Sequence, residues 1–274
     1  ACIPHSQYNP YVEAFWKWWP DLYTDLKHFR MTGGEPLMDK NTYKVFDYIN
    51  ANPKSDLHLN VTSNFSVEDK LFDKYIEAIK PICLDEKVEH FMQYISVDSW
   101  MEQAEYIRNG LDFNRMWNNI NRFLTEIPYR NSVTFIITYN NLSVTGLDKL
   151  LSAIHGLRQA YSDTYQRIWF DTPLLRQPAW QSIQLLPESY QMIHDDNVCW
   201  MLDNMEDEST RFKGFKDYEV QRMQRDLAWW QEGSKLDEQY VRDCKADFYR
   251  FFNEHDKRRG TNFLETFPEM VDWW

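Results

Sequence analysis

The chain reads as an α/β fold built on parallel strands, and three observations lead there. Five strand-like runs, at residues 26–32, 57–62, 91–97, 133–139 and 167–171, alternate with helical patterns near 41–49, 68–79, 113–126 and 146–159. Such alternation implies right-handed crossovers and a parallel sheet. The runs also alternate in polarity, whereas strands buried on both faces read as continuous apolar stretches. After Pro187 the alternation gives way to charged, aromatic-rich helical sequence, with pairs such as Trp229–Trp230. The expected organisation is a core over residues 1–186 and a helical extension or cap over 187–274.

Each run supports this in turn. The first sets Phe29 and Met31 against His28, Arg30 and Thr32; the second sets Leu57, Leu59 and Val61 against His58, Asn60 and Thr62. The third sets Phe91, Ile95 and Val97 against Tyr94, Ser96 and Asp98, and the fifth sets Ile168 and Phe170 against Trp169 and Asp171. Successive residues point to opposite faces, so one face packs on helices and the other is polar. The polar groups gather toward the C-terminal ends of the strands. A curved sheet or barrel with a polar interior at its C-terminal mouth explains this, and that mouth is where α/β proteins bind ligands. His28, Arg30, His58, Tyr94, Thr138, Asn140, Trp169 and Asp171 are the expected interior positions. The final long helix is expected to end at Gly260, behind Lys257, Arg258 and Arg259, cations that complement the helix dipole.

Composition narrows the function classes. With 274 residues and 43% hydrophobic content the chain can bury a large core. No run of about 18 apolar residues is present to span a membrane. The net charge of −12 argues against nonspecific binding to nucleic acid or anionic lipid. Nothing after Ala1 reads as a signal peptide. Cys2, Cys83, Cys199 and Cys244 lie far apart without a CxxC pair, and read as free thiols in a reducing cytoplasm. His194-Asp195-Asp196 suggests either a metal site or a solvated polar turn or helix end.

Gly33-Gly34-Glu35-Pro36 is the most informative motif, because it ends a strand and precedes a helical pattern. Two glycines let a backbone approach a ligand with no Cβ in the way. Glu35 adds negative charge beside exposed carbonyls, and Pro36 fixes the exit from the turn. The combination suits a cationic amine better than a phosphate, which wants bare amides or a Lys.

On these residues the chain resembles the radical SAM superfamily. Gly33–Pro36 is similar to that family's second-strand motif, which holds the amino group of S-adenosylmethionine. Val61-Thr62-Ser63-Asn64 resembles its third-strand T-x-N element, and Ser96-Val97-Asp98 its fourth-strand S-x-D element. Arg108 falls where many members place an arginine on the cofactor carboxylate; its bland reading is an ion pair with Glu102 or Glu105. The resemblance covers roughly residues 26–175 and implies a partial (β/α)6 TIM-like barrel whose first strand is missing. It implies Gly33, Gly34, Glu35, Pro36, Thr62, Asn64, Ser96, Asp98 and Arg108 as cofactor-binding residues, with adenine near 133–139. Thr62, Ser96 or Asp98 could instead cap helices.

The family's defining C-x3-C-x2-C loop, whose thiolates hold a [4Fe–4S] cluster, is absent. Cys2, 31 residues before Gly33, stands where the last cluster cysteine would. The resemblance then expects two more thiolates three and seven residues upstream of it. It implies an enzyme fragment that cleaves S-adenosylmethionine reductively, with an electron donor and a small-molecule or peptide substrate. The alternatives are a non-catalytic barrel that binds S-adenosylmethionine or a nucleoside without a cluster, and a nucleotide-cyclase turn, which would sit on an antiparallel hairpin.

Overall fold

A computed structural model describes residues 8–274. Helix α1 (Pro10–Asp25) opens on Asn9, whose side chain accepts the amides of Tyr11 and Val12, with Pro10 in the first turn where a missing N–H leaves nothing unpaired. Its Trp19 and Tyr23 pack on Phe29 and Tyr48. There follow β1 (His28–Met31), a 3-10 turn (Pro36–Met38), α2 (Lys40–Ala51), β2 (Lys54–Ser63), α3 (Asp69–Leu84) and β3 (Val88–Ser96). Then come α4 (Met101–Ile107), α5 (Phe113–Glu126), β4 (Asn131–Ile136), α6 (Leu147–Tyr161) and β5 (Ile168–Asp171). All five expected strands and all four expected helices form. Helix α3 runs further than the pattern near 68–79, past Pro81 to Leu84, and α1 and α4 lie outside the expectation.

The strands make one parallel sheet in the order β1-β2-β3-β4-β5. With right-handed crossovers, a sequential order puts every connecting helix on the same face. Burial agrees with this. Leu57, Leu59 and Val61 of β2, and Phe91 and Ile95 of β3, have no exposed surface, while His58, Asn60, Thr62, Tyr94 and Ser96 stay partly open on the other side. No helix among the described residues is long and apolar enough to cross a membrane.

The last third is helical: α7 (Gln191–Asp203), α8 (Asp217–Gln231), α9 (Glu238–Arg259) and the short α10 (Phe263–Thr266). Helix α9 closes on Gly260 in the left-handed conformation, behind Lys257, Arg258 and Arg259, as expected. This segment shares one apolar cluster with the sheet helices, and two of the polar joints that fix it are fully buried. Arg158 of α6 is fully buried with its partner Glu219 of α8. Nη1 and Nη2 donate to the two carboxylate oxygens at 2.9 and 2.6 Å, while Nε and Nη1 also reach the carbonyls of Ile168 and Gly214. At the second joint His194 of α7, also fully buried, lies between Tyr139 and α8. Its Nε2 is 2.8 Å from the Met223 carbonyl, which can only accept, so Nε2 carries the proton and Nδ1 accepts the Tyr139 hydroxyl. The His194-Asp195-Asp196 run is therefore a core imidazole followed by two exposed carboxylates on a helix.

Removing one partner of the buried ion pair leaves the other uncompensated. Glu219→Gln should lower the unfolding free energy by about 3–5 kcal/mol, read as a fall in urea midpoint; an unchanged midpoint would show that the pair does not anchor α8. Burial also holds His194, His155 and His90 below the ordinary imidazole range, His90 down to about 4. Below the ordinary value of about 6.5 the unfolded state then binds protons that the folded state refuses, so these groups remove stability as pH falls from 7 to 5. Asp226, pushed up to about 6 mainly by burial, acts in the opposite sense below pH 6. Urea titrations at pH 7.5 and 5.5 should show a shallower acid loss in His194→Gln than in the wild type.

Candidate functional site

The chain leaves β1 through Thr32 into two consecutive left-handed residues, Gly33 (φ +91°) and Gly34 (φ +56°). A Cβ built on either would meet nothing within 4 Å. Conformation demands these glycines, and open space lies in front of them. That space is a cleft of about 500 Å³ lined by Gly33, Gly34, Glu35, Met38, Asp39 and Lys40. A second cleft, about 240 Å³, shares Gly33 and Asp39 and reaches Phe15 and Trp16 of α1.

Glu35 turns inward. One carboxylate oxygen accepts the Leu37 amide at 3.0 Å and caps the 3-10 turn begun by Pro36; the other accepts the Ser63 hydroxyl at 2.9 Å. Ser63 in turn accepts the Phe65 amide, so one carboxylate ties the glycine turn to the end of β2. Burial raises the Glu35 pKa, opposed by the Leu37 amide, the Ser63 hydroxyl and the Asn64 amide. The Glu35 carbonyl is taken by the Met38 amide at 3.0 Å. Among the described residues no backbone hydrogen bond engages the carbonyls of Gly33 and Gly34. Of the three carbonyls expected to face an amine, two are free.

The other expected residues divide. Thr62 and Ser96 lie on the open face by register, and Thr62 Oγ1 accepts Arg30 Nε at 3.0 Å. Asn64 is a turn brace, its Oδ1 accepting the Ser66 amide. Asp98 is buried and caps no helix, since Trp100 is the N-cap of α4 and no side chain caps that helix. It holds Arg108 instead, with Nη2 donating to Oδ1 at 3.0 Å and Nε 2.8 Å from Oδ2, and accepts the Thr138 amide at 2.7 Å. This corrects the ion-pair reading of Arg108: Asp98, and neither Glu102 nor Glu105, is its charge partner. Glu105 accepts the Phe113 amide.

Across the open face, His28, His58 and His90 share one register row; the first two rings stack at 4.7 Å, and His90 Nε2 is 2.5 Å from Ser132 Oγ. Trp169 stacks on Tyr218 of α8, and Asp171 pairs with Arg222 at 3.1 Å. Asn140 departs from expectation: it is buried and bonds to the Thr138 carbonyl and the Leu142 amide, shaping the loop after β4. Three residues that sequence reasoning missed complete the rim: Ser63, Arg222, and Asp226, which accepts the Thr172 hydroxyl at 2.7 Å just past β5. Ser63 falls on the helix side of its strand, and no local spacing ties α8 to the end of β5.

The two groups implied by the resemblance fare differently. The free glycine carbonyls and the open space before them fit the amino end of S-adenosylmethionine. For a [4Fe–4S] cluster the described residues do not fit: no three His, Cys, Asp or Glu side chains converge as a metal set. Cys83 and Cys244 are buried and Cys199 is exposed on α7. Cys2 lies outside the described residues. The cyclase geometry is also not met, because the glycine turn follows a strand paired in parallel.

Because the two glycines are held left-handed without crowding, Gly33→Ala and Gly34→Ala should each cost about 1–2 kcal/mol from backbone strain alone. Urea denaturation checks this, and a larger loss would mean that the turn carries packing. No protein-family model matches this chain, and no curated protein matches it at a significant level.

Proposed function

We propose that the chain is the core of a radical SAM enzyme, a partial (β/α)6 barrel that binds S-adenosylmethionine at the C-terminal mouth of its sheet. The observation that carries this reading is the Gly33–Gly34 turn at the end of a parallel strand, bordering an open cleft, with two carbonyls that no described group engages. Paired carbonyls are acceptors matched to an ammonium, and the inward Glu35 carboxylate adds negative potential behind them. On this reading Gly33 and Gly34 hold the amino group, while Thr62 and Ser96 border the ribose and methionine end. Asp98 and Arg108 brace the loops after β3 and β4 beside it. A [4Fe–4S] cluster, which the described residues do not hold, would supply the one-electron chemistry of the enzyme reading toward a small-molecule or peptide substrate. The cluster enters the proposal only through Cys2 and the two upstream thiolates that the resemblance expects, with an electron donor and a reducing cytoplasm.

One observation favours a second reading, a barrel module that binds S-adenosylmethionine or a nucleoside without a cluster. Every group assigned to the amino end lies within the described residues, and this reading needs no other. Titration calorimetry should show saturable binding of S-adenosylmethionine to the wild type and none to Gly34→Val, whose side chain fills the space before the turn. A folded wild type that binds nothing would overturn both readings. They part on 5′-deoxyadenosine formation, with iron, sulfide and a low-potential reductant, by protein that also carries the two thiolates expected upstream; the enzyme reading requires it and Cys2→Ser should abolish it.

A further inference from the structure

We infer that the open face of the sheet carries an anion receptor, the Arg30 guanidinium, for a carboxylate or phosphate on the ligand at the mouth; this rests on the mouth being a ligand site, as proposed above. Arg30 lies in the middle of β1, in register with Asn60 and, through it, Met92. Its side chain does not stay in that row. Nε donates to Thr62 Oγ1 at 3.0 Å, and the guanidinium carbon sits 4.1 Å from the centre of the Tyr94 ring. Thr62 and Tyr94 are themselves register partners, nearer the C-terminal ends of the strands. The guanidinium therefore leans toward the glycine turn.

Two contacts fix it there. The Nε bond sets one edge, and the guanidinium carbon rests over the ring. Nη1 and Nη2 then point away from Nε with no hydrogen bond or ion pair among the described residues. Other arginines at this sheet and its rim are committed: Arg108 to Asp98, Arg222 to Asp171, Arg130 to Glu86 and Arg158 to Glu219. In a chain of net charge −12, a pre-oriented cation with no acid beside it invites an external one. The outer edge of a guanidinium presents two parallel N–H groups matched to a carboxylate or phosphate, and a pre-oriented fork loses less freedom on binding. The anion has two possible sources. One is the amino-acid end of S-adenosylmethionine, since Arg108 is engaged by Asp98; the other is an acidic group on the substrate.

The experiment uses the whole chain and three probes: inorganic phosphate, S-adenosylmethionine, and 5′-methylthioadenosine, which lacks the amino-acid end. In nitrogen-labelled protein, phosphate should shift the Arg30 Nε–H resonance saturably, and the response should vanish in Arg30→Gln. If the cofactor is the source, Arg30→Gln should weaken S-adenosylmethionine by about tenfold to a hundredfold, the span of one charge-assisted pair, and leave 5′-methylthioadenosine unchanged. If the substrate is the source, only the phosphate response should be lost. Arg30→Lys, which keeps the charge without the fork, and Tyr94→Leu, which removes the prop, should both fall between wild type and Arg30→Gln. A wild type that answers phosphate through Arg30 but binds neither nucleoside would keep this inference and sink the proposed function. Phosphate that leaves the Arg30 signal unmoved, together with unchanged S-adenosylmethionine affinity in Arg30→Gln, would overturn the inference.

Discussion

Five parallel strands laid down in chain order leave this sheet with two unlike faces, and the remaining architecture answers to that constraint. Every crossover returns on the same side, so the apolar positions of β2, β3 and β5 meet helices, and their polar positions meet none of the connecting helices. Alternation is what makes this possible. A continuous apolar strand would have needed a second helical layer, and the face that carries Arg30, Thr62, Tyr94 and Ser96 would have been covered. Helix α8 approaches this face from the β5 edge, through Arg222 and Tyr218.

At the C-terminal ends of the strands, two inward carboxylates organise the backbone. Glu35 joins the glycine turn to β2, and Asp98 joins the β3 loop to the β4 loop through Arg108 and Thr138. Each commits its acceptors to the protein, which immobilises the backbone around the cleft. Hydrogen bonds to a charged group contribute about 1.5–3 kcal/mol each, enough to hold a left-handed Gly-Gly pair in place. Among the described residues, the carbonyls of Gly33 and Gly34 and the Nη groups of Arg30 are left without partners. An amine and an acid on one ligand would find complementary partners.

Much of the fold is legible in the sequence because it is written in period-2 alternation with helical stretches between, and alternation survives errors of a residue or two at the ends. Helix α1 is not, since its buried positions are aromatic and Pro20 interrupts it, although Asn9-Pro10 is an ordinary helix-start signal. The glycine turn is legible as a motif, and its strand-to-helix setting is as expected. Partner choice is not. Asp98 and Arg108 are ten residues apart, at opposite ends of the segment that holds α4, and the way this short helix folds back decides that they meet. Ser63 escapes a reading by parity, which assigns it to the helix side, and that is where Glu35 reaches it. Asn140 resembles an interior position on polarity alone, and loop geometry claims it.

The Arg158–Glu219 pair has a consequence for how the chain is made. Arg158 leaves the ribosome 61 residues ahead of its counter-charge, and at ordinary synthesis rates that interval is a matter of seconds. During it, α6 cannot settle against β5 without sealing a lone guanidinium in an apolar site, so the β5 edge must stay open until α8 arrives. The parallel core and the helical last third therefore mature together. The nascent chain carries an unfinished sheet edge for that time, the stage at which a chaperone would matter most to it.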